Sequence, residues 1–182
     1  MRAETDREKI ERFMTALGAS VRGGGRIYLT GGGTAVLYGW RETTIDLDIK
    51  AEPEPAHFFE AIAELKEAID LNVELAAPDD FIPELPGWRD RSIFIARRSA
   101  LDFYHYDLYS QALAKIERGH ARDLDDVRAM LTMRLIERAK LKDLFRAIEP
   151  KLARYPAIDP KTFHRALIAI SHEESDISGA YD

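Results

Sequence analysis

Two carboxylates stand two residues apart at Asp46 and Asp48, inside a segment that alternates apolar and polar residues. Ile45, Leu47 and Ile49 form one set, and Thr44, Asp46, Asp48 and Lys50 the other. Alternation of period two is that of a half-buried strand over Thr43 to Lys50, and it turns both carboxylates to one side. Paired carboxylates make a hard, oxygen-rich site of the kind that takes Mg²⁺ or Mn²⁺. Such a site serves the activation of an attacking hydroxyl and the departure of pyrophosphate. Just upstream, Gly31-Gly32-Gly33-Thr34-Ala35 joins a β-prone stretch, Ile27 to Thr30, to a short helical stretch, Thr34 to Trp40. Glycines at a strand-to-helix turn let backbone N–H groups approach a phosphate, and the helix N-terminus favours its charge. Gly32, Gly33 and Thr34 are therefore candidates to hold a nucleotide. A side chain at Gly32 is expected to weaken nucleotide binding more than folding, provided its φ is ordinary.

Each feature alone is common. Glycine turns mostly serve backbone geometry, and an Asp-x-Asp on a half-exposed strand is mostly a solvated face. The conjunction is more specific, because a short helix between the two brings both to the same end of a sheet. Competing chemistries find no support. The glycines are not followed by Gly-Lys-Ser/Thr, so a P-loop is not indicated, and they do not extend to a dinucleotide-binding fingerprint. His57, His105, His120, His164 and His172 show no metal-ligand spacing.

The elements that must position these residues follow from periodicity. Ile10, Phe13, Met14 and Leu17 mark an amphipathic first helix. After Pro53 and Pro55, a helix carries Phe58, Phe59, Ile62, Leu65 and Ile69 on its apolar face. Leu71 to Leu75, Ser92 to Ala96 and Ala100 to Tyr106 are strand-like, the last two forming a hairpin near Arg98 and Ser99. Residues 77–90, with three prolines, are expected to form an irregular loop. Beyond Asp107 only helical patterns follow, at about 108–118, 123–137, 140–153 and 160–171, with a polar tail after His172 expected to fray.

Composition sets the outer bounds. The 182 residues are 46% hydrophobic and 32% charged, enough apolar material for a core, with a net charge of -6. That charge disfavours bulk attraction to a polyanion without excluding a local basic groove. There is no cysteine, so neither disulfides nor thiolate chemistry are available. No apolar run approaches the roughly 20 residues needed to span a bilayer, and the charged start MRAETDREKIERF lacks a signal-peptide core. A soluble, cytoplasmic protein without membrane association is expected.

The run Tyr28-Leu29-Thr30-Gly31-Gly32-Gly33-Thr34-Ala35, followed by Trp40-Arg41-Glu42-Thr43-Thr44-Ile45-Asp46-Leu47-Asp48-Ile49, resembles the signature of the DNA polymerase β-type nucleotidyltransferase superfamily. Its Gly-Gly-Thr-Ala form, with Arg41 ahead of the acidic pair, is similar to the AbiEii-like toxin nucleotidyltransferases and to a group of uncharacterised bacterial relatives. A second block, Asp107 to Arg118 with Lys115 and then Arg122-Asp123-Leu124-Asp125-Asp126, resembles a Lys-bearing helix and an Arg-Asp-x-x-Asp element of those relatives. The resemblance spans roughly residues 26 to 130. It implies a mixed α+β fold: a nucleotidyltransferase-like sheet with flanking helices over 1–106, and a helical C-terminal part, 107–182, packed on it. It also implies transfer of a nucleoside monophosphate from an NTP to a hydroxyl of an RNA acceptor, such as a tRNA end, or of a protein.

In that frame Asp46 and Asp48 bind metal. Glu74 or Asp102 supplies a third carboxylate on a neighbouring strand, with Glu74 preferred. Arg41 contacts nucleotide or acceptor, and Lys115 and Arg122 neutralise the triphosphate. A role as the toxin of a toxin–antitoxin pair, with an antitoxin partner, is implied by the same relatives. The alternatives are a catalytically silent nucleotidyltransferase fold acting as a binding or regulatory module, and a small-molecule transferase with an acidic acceptor pocket.

Overall fold

A computed structural model describes residues 4–173. They divide into an α/β unit, residues 4–80 and 87–107, and a helical unit, residues 81–86 and 108–173.

The α/β unit runs α1 (Arg7–Ser20), β1 (Gly25–Thr30), α2 (Gly31–Tyr38), β2 (Asp46–Ala51), α3 (Phe58–Ala68), β3 (Asn72–Leu75), the single turn α4 (Trp88–Arg91), β4 (Ile93–Arg98) and β5 (Leu101–His105). The strands form one mixed sheet in the order β3-β2-β1-β5-β4. β1 is antiparallel to β2 and parallel to β5, β2 is parallel to β3, and β4 and β5 form an antiparallel hairpin. A mixed sheet flanked by helices is an α+β fold, as the sequence implies.

Strand alternation divides the sheet into two chemistries. Ile27, Leu29, Leu47, Ile49, Val73, Leu101 and Phe103 form a buried core with Ile10, Phe13, Met14 and Leu17 of α1 and Phe58, Ile62 and Leu65 of α3. Each such side chain contributes about 1.5–3 kcal/mol by leaving water. Asp6 caps α1, its side chain accepting from the Lys9 N–H at 2.9 Å. The opposite face of the sheet carries Tyr28 and Thr30, Asp46, Asp48 and Lys50, Asn72 and Glu74, and Asp102 and Tyr104. Over part of it Trp88 meets Tyr28 edge-on at 4.9 Å and stacks on Tyr106 at 4.2 Å.

Three sequence expectations are corrected. β2 begins at Asp46, not Thr43, and Ile45 is 59% exposed instead of lying on the core face. Its place inside is taken by Thr44, which is buried and bridges to Thr5 through paired backbone hydrogen bonds. Phe59 is 54% exposed, because α3 turns Ala61 inward in its stead. The proline-rich stretch is not wholly irregular: it contains a 3-10 turn at Pro78–Asp80 and the α4 turn, whose Trp88 is fully buried.

The helical unit comprises α5 (Leu108–Arg118), α6 (Ala121–Thr132), α7 (Arg138–Ile148), a 3-10 segment (Glu149–Arg154) and α8 (Pro160–His172). α5 is its central helix, touching α6, α7 and α8 and burying Leu108, Ala112, Leu113 and Ile116. Phe145 and Phe163 meet edge to face at 4.9 Å. Among the described residues, no helix is long and apolar enough to cross a membrane.

Candidate functional site

The site is built where α2 meets β2. α2 starts at Gly31, directly from β1, so the glycines form its first turn and do not make a loop ahead of it. Gly31 has φ +58°, and a Cβ there would stand 2.7 Å from Asp48 Oδ2. The first residue of the helix thus abuts the Asp48 carboxylate. At Gly32 a Cβ would fall 1.9 Å from Thr44 Oγ1, and at Gly33 it would fall 2.6 Å from Leu47 Cδ1. Real Cβ atoms essentially never approach so closely, so three successive glycines let the start of α2 sink onto β2.

This changes what the glycines are for. Gly32 and Gly33 are buried and serve helix-to-strand packing, and only Gly31 borders the carboxylates. The expectation that a side chain at Gly32 disturbs binding more than folding is reversed, since its φ is ordinary and the obstacle is Thr44. Thr34 is likewise turned inward. Its fully buried hydroxyl donates to the Leu29 carbonyl at 3.3 Å and lies within hydrogen-bond distance of His105 Nδ1, at 3.1 Å. The Thr34 side chain therefore does not face a ligand. Burial, with a smaller contribution from Arg7, pushes the His105 pKa down to about 4, so the ring is neutral at pH 7.

Asp46 and Asp48 are half-buried on one face of β2, as alternation requires. Asp48 lies in register with Thr30 on β1 and with Glu74 on β3, and Asp46 with Asn72 on β3. Asn72 joins the two strands chemically. Its Nδ2 donates to Asp46 Oδ1 at 2.6 Å and to Glu74 Oε1 at 3.3 Å. Further along the same face Lys50 is drawn to Asp79, which also accepts from the Tyr106 hydroxyl at 3.0 Å.

Of the two candidates for a third carboxylate, the fold brings Glu74 beside the pair and leaves Asp102 remote. Asp102 is separated from β2 by β1, and its register partner is Arg26, four residues from Thr30 or about 13 Å along the strand. It is held by Arg97 through two hydrogen bonds at 2.6 and 2.8 Å, which lower its pKa.

Among the described residues no three His, Cys, Asp or Glu side chains converge into a ready-made metal cage. The donors present suit Mg²⁺ or Mn²⁺ nonetheless. Mg²⁺ is characteristically held by one or two carboxylates and completed by substrate phosphates, not by an all-protein cage.

The remaining candidates, Arg41, Lys115 and Arg122, stand on other elements. Arg41 follows the C-terminal end of α2 and lines an open cavity of about 470 Å³ with Arg7 and four carboxylates, Asp6, Glu8, Glu11 and Glu42. Two guanidiniums among four carboxylates are a poor setting for a triphosphate. In the helical unit, Lys115 is 6% exposed and gives its ammonium to Asp126 at 2.6 Å and Asp123 at 3.3 Å. Arg118 closes on Asp123 with two bonds of 2.6 Å. Arg122 is exposed in the first turn of α6. Lys115 is thus part of a buried ion cluster that ties α5 to α6.

Asn72 and Thr44 escaped the sequence analysis. Asn72-Val73-Glu74 repeats the polar-apolar-polar parity of Asp46-Leu47-Asp48, which is the signal that finds Asn72. Thr44 carries no such signal, because its role is set by contact with Gly32.

A carboxylate pair on a mixed sheet, set against a glycine-opened helix, defines a nucleotidyltransferase-type core. Residues 22–176 match the family described as nucleotidyltransferase of unknown function (DUF6036), and the chain belongs to that family. No curated protein and no solved structure matches it.

Proposed function

We propose that the protein transfers a nucleoside monophosphate from an NTP to an acceptor hydroxyl. The observation that carries this is the contact of Gly31, at the N-terminus of α2, with the Asp48 carboxylate, on the strand face that also presents Asp46. A helix start attracts phosphate oxygens, and the carboxylates beside it accept the accompanying cation. Mg²⁺ or Mn²⁺ held by Asp46 and Asp48 supplies charge neutralisation for the triphosphate and for the departing pyrophosphate. The chain's own residues do the rest. The start of α2 orients the triphosphate, and Glu74 takes the proton of the attacking hydroxyl. The acceptor oxygen bonds to the α-phosphorus as the bond from that phosphorus to the pyrophosphate oxygen breaks.

The acceptor proposed is a hydroxyl of an RNA, a tRNA end in particular, or of a protein side chain. The feature that supports this is the sequence resemblance to AbiEii-like toxin nucleotidyltransferases, and the same resemblance supports a role as a toxin with an antitoxin partner. The test incubates the full chain with each α-labelled NTP, Mg²⁺ and a tRNA pool or a protein mixture. Label transfer that EDTA and Asp46→Asn abolish is expected. Metal-dependent NTP binding without transfer to any acceptor would instead assign a silent binding module. NTP affinity equal with and without metal would refute both.

A further inference from the structure

Asn72 stands as a neutral amide among the carboxylates of β2 and β3. It lies beside Asp46 in the parallel register of β2 and β3, and Glu74 follows two residues later on the same face. Three carboxylates gathered on two strands repel one another, and Coulomb repulsion at such spacing acts most on the least anchored member. That member is Glu74, which is exposed and stands on an edge strand of the sheet. Asp46 and Asp48 are half-buried on the inner strand β2.

The Asn72 side-chain amide offers two N–H donors on a single nitrogen. That nitrogen lies 2.6 Å from Asp46 Oδ1 and 3.3 Å from Glu74 Oε1. Hydrogen bonds to a charged acceptor are the stronger kind, so a neutral amide here offsets repulsion without adding charge. An aspartate in its place would have no proton to give and would push Glu74 outward. A leucine would fill similar space and leave the two carboxylates unlinked.

We propose that Asn72 is a positioning residue of this site, whose amide ties Glu74 to Asp46 so that carboxylates on two strands act as one constellation. The inference rests on the nucleotidyltransferase reading of Asp46 and Asp48, and it adds that Glu74 enters the site through Asn72. The tie engages one oxygen of Asp46. Loss of Asn72 therefore acts on the step that needs Glu74 more than on nucleotide capture.

The test is a double-mutant cycle on the full chain: wild type, Asn72→Leu, Glu74→Gln and both together, with Asn72→Asp as a near-isosteric variant. Thermal melts first establish that each variant is folded. With the NTP and acceptor that label, Asn72→Leu is expected to lower kcat by about 10–100-fold, the usual effect of losing a group that orients a metal-site residue, while KM for NTP stays within about twofold. In the Glu74→Gln background Asn72→Leu adds little. Asn72→Asp falls at least as far as Asn72→Leu. An equal loss in both backgrounds, or unchanged kcat in Asn72→Leu, overturns the inference.

Should the wild type bind Mn²⁺·ATP but transfer nothing, the catalytic reading fails, and the same cycle read in Mn²⁺·ATP affinity decides the tie. Coupling of about threefold or more between positions 72 and 74 supports it, and additivity overturns it. A wild type that binds no Mn²⁺·ATP refutes the nucleotidyltransferase reading and the inference together.

Discussion

Replacing Gly32 by alanine tests how α2 is seated. The new Cβ would fall 1.9 Å from Thr44 Oγ1 and 2.6 Å from Thr44 Cβ, less than any real contact allows, and neither atom is the end of a flexible chain. Thr44 cannot readily move aside. It is buried, its hydroxyl donates to the Asp46 carbonyl at 3.0 Å, and its backbone is paired with Thr5. Overpacking of this kind costs about 1–3 kcal/mol. Alanine returns up to about 1 kcal/mol of helix propensity over glycine, so the net loss expected is about 1–2 kcal/mol. For a chain of this size that is a fall of about 2–8 °C in Tm. Gly32→Val, which brings two further methyl groups and no such return, should fall further. The clash is relieved in part when Thr44→Ala removes Oγ1, so the two substitutions are non-additive. The measurements are thermal melts of the three variants beside Mn²⁺·ATP titrations. Loss of nucleotide affinity should accompany the loss of stability, because a lifted α2 carries Gly31 away from Asp48. A Gly32→Ala protein with unchanged or raised Tm would refute the packing argument and return Gly32 to a purely phosphate-facing role.

His105 has a folded pKa lowered from 6.5 to about 4, so the unfolded chain binds the extra proton and stability falls as pH drops through that window. The component is at most about 3 kcal/mol. His105→Gln removes it, and urea midpoints with the same pH slope from 7 to 4 in both proteins would sink the assignment. Lys115→Met removes the ammonium from two buried carboxylates, Asp123 and Asp126, at a cost of about 3–5 kcal/mol. Adding Asp126→Asn should recover part of the loss in urea unfolding, and a Lys115→Met protein as stable as the wild type would show that the cluster contributes nothing.

What was legible in the sequence was what period and composition encode. The α1 face, the β4–β5 hairpin and the shared face of Asp46 and Asp48 all follow from alternation or helical spacing, because burial acts on those positions one by one. What failed depended on contact between elements. Parity places Ile45 inside, but the chain enters β2 from a bridge at Thr44 that seats α2, and the residue between bridge and strand is turned outward. The triple glycine reads as a phosphate loop in one dimension. In three, two of the glycines are the space that Thr44 and Leu47 occupy. The resemblance assigns Lys115 to a triphosphate, whereas its ammonium is paired with Asp123 and Asp126, eight and eleven residues away on the next helix.

Asn72 marks the boundary between the two kinds of information. Its parity with Asp46 was present in the sequence, but a search for chemistry that looks for acids passes over an amide. The amide matters only once register sets it beside Asp46, where it can offer a proton to each of two carboxylates that would otherwise repel. Residues that perform chemistry can be sought by type. Residues that hold them in place are found by asking what each charge would do if left alone, and here Glu74, on an edge strand beside two other carboxylates, would be driven outward without a donor at position 72.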